Sequence, residues 1–425
     1  MALITKAPRG THDKLPAEIH KYQEVECCAF ATAKRYGYRE IRTPVFEHTE
    51  LFQRSVGDTT DIVQKEMYTF DDKGGRSLTL KPEGTAGAAR AAVENGLLGE
   101  ALPLKLCYVT NCYRYEAPQS GRYREFSQFG AEVYGADTPG CDAELISMAF
   151  ELFDVLNIHI DSYSVEVNSI GCPTCRGNYQ TALSEYYRQY ELELCKDCLE
   201  RITRNPMRLL DCKSPVCGKF KDNAPLILDY NCEDCSTFFE GFKSRLDLLG
   251  VPYKVNPKIV RGLDYYTNTV FEFVAKSGLV FGGGGRYNGL VAELGGASVP
   301  ASGFALGLER LVSVIDDTAG FGECETPDIY IGSMGDAAAK FALKLACELR
   351  KFGLWAECDI VGRSVKAQMR YADKIGAQFS MVIGDSELET QSATLKNMRV
   401  KDDNRSVDLS QLEHLVDALY GGGDI

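Results

Sequence analysis

The sequence predicts an α+β fold built on an antiparallel sheet, with a helical cysteine-rich insertion and a C-terminal α/β domain. A predicted β-hairpin within residues 111–135 joins two strands through a short loop that contains Pro118 and Gly121. Between residues 172 and 235 eight cysteines occur in a segment of mostly helical pattern. After residue 327 strand-like and helix-like segments alternate with short connections, which is typical of a largely parallel sheet.

Composition divides the chain into three regions. We predict one domain over residues 1–170 and 246–320, interrupted by the insertion at 171–245, and a second domain over 327–425. The Gly-, Asp- and Glu-rich residues 316–327 are the predicted linker, and residues 304–315 are predicted as a helix. A length of 425 residues is typical of two or three domains.

Charge and hydropathy restrict the partners of the chain. No apolar run reaches the roughly 18 residues of a membrane span, and no secretory signal is visible, so we expect a cytoplasmic protein without a membrane partner. The net charge of −13 argues against indiscriminate nucleic-acid binding, but it permits a local basic face. Residues 340–374 carry eight basic and four acidic side chains, which fits either an RNA-facing surface or a solvated, ion-paired helix face.

The second strand of the hairpin presents two different faces. One row is polar with an aromatic end, and the other is apolar: Phe126, Gln128, Gly130 and Glu132 against Ser127, Phe129, Ala131 and Val133. Arg114 and Glu116 are predicted to share one face of the preceding strand. A sheet floor with arginines, an aromatic ring and carboxylates suits a polyanion and a small polar molecule. An ordinary amphipathic hairpin with a charged tip is the alternative.

Four more segments carry candidate site residues, each with a structural alternative. Glu83, Gly84 and Thr85 form a trio suited to an ammonium group, although a plain helix N-cap at Thr85 is the favoured interpretation. Arg261 precedes two tyrosines and an aromatic strand, as either a site residue or an ion-paired structural arginine. Four consecutive glycines at 282–285 allow close approach to a ligand, or form a flexible loop. Arg310 lies in the first turns of a predicted helix, where a surface position is usual.

Taken together, these segments resemble the class II aminoacyl-tRNA synthetases, and within them the histidyl-tRNA synthetases. REIRTPVFE (39–47) resembles motif 1, the segment from Arg114 to Phe126 motif 2, and GFALGLERL (303–311) motif 3. RGLDYYT and GGGGRYNGL resemble two peptides peculiar to the histidyl enzymes. The resemblance covers essentially the whole chain and implies a class II catalytic domain, an insertion domain and an anticodon-binding domain.

The resemblance also implies roles for single residues. Arg114 and Arg310 would grip the phosphates of ATP, with Glu116, Arg122 and Phe126 in the same site. Arg261 would contact the α-phosphate and the histidine carboxylate, so that Arg261, Arg114 and Arg310 are the expected catalytic residues. The residues expected to hold histidine are Glu83, Gly84, Thr85, Gln128, Glu132, Tyr265 and Tyr266.

The implied reaction is the ATP- and Mg²⁺-dependent ligation of L-histidine to tRNA(His) by a homodimeric enzyme. Gln119 and Arg124 would contact the tRNA acceptor end, while Ala117 stands where many bacterial members carry a basic residue. Two alternatives remain: a non-catalytic, histidine-sensing regulatory subunit of ATP phosphoribosyltransferase, and an RNA-binding module with a relic active site. Retention of the three arginines and of the C-terminal domain argues against the regulatory subunit.

The cysteines of the insertion have the spacing of thiolate metal ligands. Each of four close pairs is separated by two or four residues: Cys172 and Cys175, Cys195 and Cys198, Cys212 and Cys217, Cys232 and Cys235. Eight thiolates suffice for two structural Zn²⁺ ions, and disulfides are not expected without an export signal. The alternatives are that reduced cysteines serve as small apolar fillers or, less favoured, that they hold an iron–sulfur cluster.

Overall fold

The computed structural model describes residues 5–57, 60–118, 121–212 and 214–420. The chain folds into two compact units, Met1–Gly322 and Glu323–Ile425. Each unit has its own sheet and its own apolar core. No helix among the described residues is both long and apolar enough to cross a membrane.

The first unit is built on an eight-stranded sheet in the order β1-β5-β6-β11-β10-β9-β7-β8. The two outer pairs, β1 with β5 and β7 with β8, are parallel, and all other neighbours are antiparallel. The strands are β1 Arg39–Glu40, β5 Leu104–Tyr113, β6 Glu125–Tyr134, β7 Tyr163–Ser169, β8 Lys254–Val255, β9 Thr267–Ala275, β10 Val280–Arg286 and β11 Ala301–Gly307. A smaller sheet, in the order β2-β4-β3, contains β2 Phe46–His48, β3 Tyr68–Asp71 and β4 Ser77–Leu80.

Helices of the first unit cover the sheet and form the insertion. Those outside the insertion are α1 Pro16–Arg35, α2 Thr49–Val56, α3 Thr85–Glu94, α4 Pro139–Val155, α9 Leu290–Glu293 and α10 Leu308–Thr318. Those of the insertion are α5 Pro173–Arg188, α6 Lys196–Arg204, α7 Pro215–Gly218 and α8 Glu233–Leu248. The predicted α+β class with a helical cysteine-rich insertion is therefore confirmed.

Strand β6 has the two faces that its alternation predicts. Phe129, Ala131 and Val133 lie in the main core, packed with residues of α1, α4 and α10. The opposite row, which ends in Glu132, belongs to the face that carries the candidate site. Hairpin β5–β6 is antiparallel, with Cys112 paired to Phe126 and Leu106 to Glu132.

Three local predictions were wrong. Arg114 and Glu116 are not on the strand, because β5 ends at Tyr113. Residues 304–307 are not helical, since β11 continues to Gly307 in register with β6 and only then does α10 begin. Thr85 is the first residue of α3 rather than its N-cap, which is Gly84.

The second unit contains the predicted alternation of strands and helices. Its sheet, β13-β12-β14-β15-β16, is parallel between β12 and its neighbours β13 and β14, and antiparallel beyond β14. The largely parallel sheet that the sequence predicts is therefore a mixed one. Its elements are β12 Ile329–Ser333, α11 Asp336–Lys351, β13 Ala356–Cys358, α12 Val365–Lys374, β14 Phe379–Ile383, α13 Asp385–Thr390, β15 Ser392–Asn397, β16 Asn404–Asp408 and α14 Leu412–Tyr420.

Candidate active site

A cavity of about 480 Å³ lies on the face of the large sheet opposite the main core. Strands β6, β9, β10 and β11 supply its floor, and the start of α3, the start of α10 and the loop residues Arg114, Glu116 and 121–123 supply its walls. Its lining is rich in both arginines and carboxylates. The predicted site residues that line it are Glu83, Thr85, Arg114, Glu116, Arg122, Phe126, Gln128, Arg261, Tyr265, Tyr266 and Arg310.

Of the predicted substrate and tRNA residues that the structure describes, three do not line this cavity: Gly84, Arg124 and Glu132. Glu132 is fully buried behind Thr85 and Tyr287, to which it is hydrogen-bonded. Gly84 packs against the ring of Tyr108. The guanidinium of Arg124 lies 3.7 Å from the centroid of the Tyr115 ring, outside the cavity lining. Gln119 lies outside the described residues.

Glu132 is surrounded by hydroxyl groups. Its Oε1 accepts hydrogen bonds from Thr85 Oγ1 at 2.7 Å and from Tyr108 OH at 2.8 Å, and its Oε2 accepts one from Tyr287 OH. Burial raises the pKa of this carboxyl to about 8, because the three hydroxyl donors offset only part of the cost of desolvation. The carboxyl group therefore keeps its proton near neutral pH, and it lies directly behind the cavity wall.

Two glycines make room for Tyr108, which sequence reasoning did not identify. A Cβ on Gly130 would lie 2.2 Å from Cζ of the Tyr108 ring, and a Cβ on Gly84 would lie 2.2 Å from its Cε2. Tyr108 is paired with Gly130 across β5 and β6. Gly130, in the polar row of β6, thus leaves space for the Tyr108 phenol to lie over β6 and reach Glu132.

Glu83 is held by the start of α3. Its carboxylate accepts hydrogen bonds from the backbone N–H groups of Thr85 at 2.8 Å and of Ala86 at 2.7 Å. Burial raises the pKa of Glu83 despite these donors. A carboxyl group fixed at a cavity wall by two backbone bonds presents its remaining lone pairs in one defined orientation.

Arg261 also lines the cavity, in the segment 261–266 that we call the Arg261 loop. Its Nη1 bonds to Oε1 of Glu272 at 2.6 Å, and its guanidinium lies 5.6 Å from the centroid of the Tyr266 ring. The Nε of Arg261 is buried and has no hydrogen-bond partner among the described residues. An ion-paired arginine at a cavity wall, with one donor left unsatisfied, suits the binding of an anionic group.

Three further arginines form a positive end of the cavity. Arg114 donates from Nε to the Pro82 carbonyl at 2.8 Å, and its guanidinium lies 5.3 Å from the centroid of the Phe126 ring. Arg310 donates to two carbonyl oxygens, at 2.7 and 2.8 Å. Burial, followed by the nearby charges of Arg122 and Arg114, lowers the pKa of Arg310. This arrangement is typical of a polyphosphate site, where an anion relieves the repulsion among the arginines.

The run of four glycines is a strand and not a flexible loop. It forms the centre of β10, between β9 and β11. A Cβ on Gly283 would lie 2.5 Å from the Phe271 carbonyl oxygen and 2.7 Å from Nη1 of Arg261. The glycines therefore allow the close packing that brings Arg261 down onto the sheet.

The eight cysteines of the insertion form two clusters. In each cluster all four sulfur atoms lie within 4.8 Å of one another. Backbone N–H groups point at several of them, as from Cys232 to Cys175 Sγ at 3.1 Å and from Cys195 to Cys217 Sγ at 3.3 Å. The first cluster is Cys172, Cys175, Cys232 and Cys235, and the second is Cys195, Cys198, Cys212 and Cys217.

The donor set of both clusters fits a metal ion. Four sulfurs at these separations match the tetrahedral coordination that Zn²⁺ prefers. Backbone N–H donors lower the pKa of Cys172 to about 7, the N–H of Cys175 contributing most, so its thiolate is readily formed. The insertion therefore contains two groups of residues that could each hold one metal ion.

Comparison with known proteins identifies the family. The family model described as histidyl-tRNA synthetase matches residues 10–172 and 231–311. The chain belongs to the histidyl-tRNA synthetase family. A second model, described as an anticodon binding domain, matches residues 328–419. The first model thus leaves out most of the cysteine-rich insertion.

Individual relatives agree with this assignment. The chain is 53% identical to the histidine–tRNA ligase of Clostridium novyi over 397 residues, which are 93% of this chain and 95% of that protein. It is 52% identical over 401 residues to the histidine–tRNA ligase of Acetivibrio thermocellus, again 93% and 95%. The crystal structure of apo histidyl-tRNA synthetase from S. aureus superposes with a TM-score of 0.80 at 36% identity, covering 98% and 99% of the two chains.

Sequence reasoning missed several residues at or next to this cavity, among them Tyr108, Glu272 and Tyr287. Tyr287 belongs to the quoted peptide GGGGRYNGL and was detectable there. Glu272 lies on β9 beyond the Arg261 loop, where its position opposite Arg261 depends on the path of that loop. Tyr108 left only an indirect signal, the glycine at 130.

Proposed function

We propose that this chain is a histidine–tRNA ligase that activates L-histidine with ATP and transfers the histidyl group to tRNA(His). The observation that carries the proposal is one cavity in which Arg114, Arg261 and Arg310 face Glu83 and Thr85. Guanidinium groups suit the phosphates, and a fixed carboxylate with a hydroxyl suits an amino group. A cation and an anion on one substrate, together with a polyphosphate on the other, are what histidine and ATP present.

Activation requires positioning and charge neutralisation more than acid–base chemistry. The histidine carboxylate attacks the α-phosphorus of ATP in line with the departing pyrophosphate, and histidyl-adenylate forms. Arg261 contacts the carboxylate and the α-phosphate, where its guanidinium neutralises developing charge. Arg114 and Arg310 hold the other phosphates beside the Mg²⁺ that arrives with ATP, and Glu116 and Arg122 complete this site. A terminal ribose hydroxyl of the tRNA then attacks the adenylate carbonyl, and AMP leaves.

The amino acid is selected by its ring and by its ammonium group. Glu83 and Thr85 bind the ammonium group, with Gln128 beside it, and Gly84 between them leaves space for Tyr108. Glu132 and Tyr266 bind the two imidazole nitrogens, and Tyr265 lines the same pocket. Glu132 lies behind the wall and is hydrogen-bonded to Thr85 and Tyr287. It reaches the imidazole when the incoming ring replaces these two hydroxyl groups as its hydrogen-bond partner. A side chain that lacks a nitrogen leaves a buried polar group unpaired, which costs about 10⁴-fold in discrimination.

Pyrophosphate exchange with each amino acid in turn tests the proposal. We expect exchange with histidine alone and only in the presence of Mg²⁺. Binding of histidine without exchange would instead support a regulatory subunit of ATP phosphoribosyltransferase. Binding of neither histidine nor ATP would refute the enzyme and its site residues together.

We propose that tRNA binds at two places. The second unit supports anticodon binding, because residues 328–419 match a model of that description. At the acceptor end we propose Arg124 and Gln119, next to Ala117 in the loop between β5 and β6. Each tRNA contact is testable by aminoacylation at constant exchange activity, since exchange needs no tRNA.

We propose one Zn²⁺ ion for each cysteine cluster. Closed thiolate sites contribute folding free energy directly, so we expect the insertion to unfold locally without metal. Elemental analysis of protein purified without added metal tests this. Less than half an equivalent of zinc, with all eight thiols freely titratable, would refute it.

We also propose that the enzyme is a homodimer and works in the cytoplasm. Val45, Phe46 and Phe70 are about half exposed on neighbouring segments, and the Phe46 and Phe70 rings are in edge-to-face contact with centroids 6.4 Å apart. Val45 and Phe46 of this apolar surface belong to residues 39–47, the segment that resembles the dimer-forming motif of class II synthetases. A two-fold dimer is the commonest way to cover such a patch.

A further inference from the structure

The insertion holds the Arg261 loop from two sides. Arg176 donates from Nη1 to the carbonyl oxygens of Tyr266 at 2.8 Å and Asp264 at 3.2 Å. Arg208 donates from Nη1 to the carbonyl oxygen of Arg261 itself at 3.3 Å. These contacts fix the backbone of the loop at its first residue, near its middle and at its last residue, and they leave the Arg261 and Tyr266 side chains facing the cavity.

Arg176 and Arg208 both belong to segments that carry cysteines of a cluster. Arg176 directly follows Cys175 of the first cluster, in the first turn of α5. Arg208 lies between Cys198 and Cys212 of the second cluster. A cluster locked by metal would therefore limit how far each guanidinium can move relative to the sheet.

The insertion also contacts Asp61, another residue that lines the cavity. Asp61 accepts hydrogen bonds on Oδ2 from Arg201 at 2.8 Å and from Arg208 at 3.3 Å. Burial opposes ionisation of Asp61, but the two guanidinium groups outweigh it and lower its pKa. The side chain of Arg208 is 10% exposed, so it is a buried link between Asp61 and the Arg261 loop.

We infer that the two metal-bound cysteine clusters anchor the Arg261 loop, with Arg176 and Arg208 as positioning residues for adenylate formation. This inference rests on the proposed function, because it assigns the loop a role in the activation step. Arg176 and Arg208 act on Arg261 through backbone carbonyl oxygens of the loop; Arg208 also lines the cavity, whereas Arg176 is not among its described lining residues. Their loss shifts the Arg261 guanidinium, and a shift of about 1 Å at a reacting group costs roughly 10²-fold in rate.

Steady-state kinetics of ATP–pyrophosphate exchange by Arg176→Ala and Arg208→Ala test the inference. We expect kcat to fall about 10- to 100-fold while the KM for ATP and the zinc content stay near the wild-type values. Arg208→Lys, which keeps one donor, should recover part of the lost kcat. The matched control is Arg188→Ala, an exposed arginine further along α5, which should behave as wild type. Wild-type kcat in both alanine variants would overturn the inference, even if their melting temperatures fell.

Backbone hydrogen exchange separates anchoring from general loss of stability. We expect Cys198→Ser and Cys175→Ser to lose zinc and to accelerate backbone hydrogen exchange at residues 261–266. The control is Cys347→Ser, at an exposed cysteine outside both clusters, which should change neither. Accelerated exchange confined to residues 171–245 would refute the anchoring role. This measurement and calorimetric histidine binding do not require catalysis. If wild-type protein shows no pyrophosphate exchange, the proposed function fails, while these two readouts still decide whether the clusters anchor the loop.

Discussion

The proton on Glu132 links the stability of the fold to pH. The carboxyl has a pKa of about 8 in the folded chain and an ordinary value of 4.5. Between these values the native state holds a proton that the unfolded state has lost, so the free energy of unfolding falls as pH rises through this range. Glu132→Gln removes the ionisation and should flatten that part of the profile. Denaturant unfolding at several values between about pH 5 and pH 8 measures the slope.

The matched control for this prediction is Glu24→Gln, an exposed carboxylate on α1. It should leave the pH profile unchanged. Equal slopes in Glu132→Gln and wild type would mean that the buried carboxyl is already ionised in the native state. Histidine binding of the Glu132 variant, measured by calorimetry, should weaken while ATP affinity is retained.

Arg261 illustrates a side chain whose contribution is expected mainly in the transition state. Its structural partner is Glu272, its Nε is buried without a hydrogen-bond partner among the described residues, and the side chain lines the cavity. Arg261→Ala should lower the rate of adenylate formation by about 10²–10³-fold and weaken ATP binding much less. Rapid-quench measurement of the adenylate distinguishes the two effects. An equal loss of ATP affinity would assign Arg261 to ground-state binding instead.

At the scale of elements, hairpin β5–β6 depends on the glycine that faces Tyr108. Gly130→Ala would place a methyl group 2.2 Å from Cζ of the ring, so the phenol must leave Glu132. We expect a loss of about 1–3 kcal/mol in the free energy of unfolding. Denaturant unfolding checks this, with Gly99→Ala as control, because no atom lies within 4 Å of a Cβ there. Adding Tyr108→Ala to Gly130→Ala should relieve the clash, and a further additive loss would contradict this account.

The elements that could be predicted from sequence are those with a single clear period. The alternation in β6 and the strand–helix order after residue 327 have such periods, and both predictions agree with the structure. Residues 304–307 belong to a strand because Phe304 and Leu306, two apart, share one face at the period of a strand, while helical spacing begins only at Leu308. The glycine strand β10 escaped because glycine has low strand propensity, and only crowding by neighbouring chains explains its use there.

The site was predictable in its residue types but not in its depth. Motif resemblance pointed to the arginines and carboxylates that line the cavity, whereas it gave no sign that Glu132 sits behind the wall. Cysteine spacing likewise found four pairs but could not say which pairs meet. The first pair joins the last because α5 and α8 begin next to each other at the base of the insertion. Such information depends on how distant segments pack, which local periodicity does not contain.

At the scale of the whole molecule, the apolar surface at Val45, Phe46 and Phe70 predicts self-association. Phe46→Glu should weaken the proposed dimer, because a charge on each copy would be buried against an apolar patch. Sedimentation at micromolar concentration measures the assembly, with the exposed Phe352→Glu of the second unit as control. A monomeric wild-type protein would refute the dimer, and an unchanged dimer in Phe46→Glu would move its interface elsewhere.

The division into two units predicts that the two half-reactions can be separated. Every described residue that lines the cavity belongs to the range from Asp61 to Arg310, within the first unit, and that unit has its own sheet and cores. A chain ending at Gly322 should therefore keep histidine-dependent pyrophosphate exchange. Aminoacylation should fall by a large factor, because the unit that matches the anticodon-binding model is missing and tRNA affinity falls with it. Full-length protein assayed in parallel is the control, and circular dichroism verifies folding. Loss of exchange in a folded truncated chain would show that the second unit supports the activation site itself.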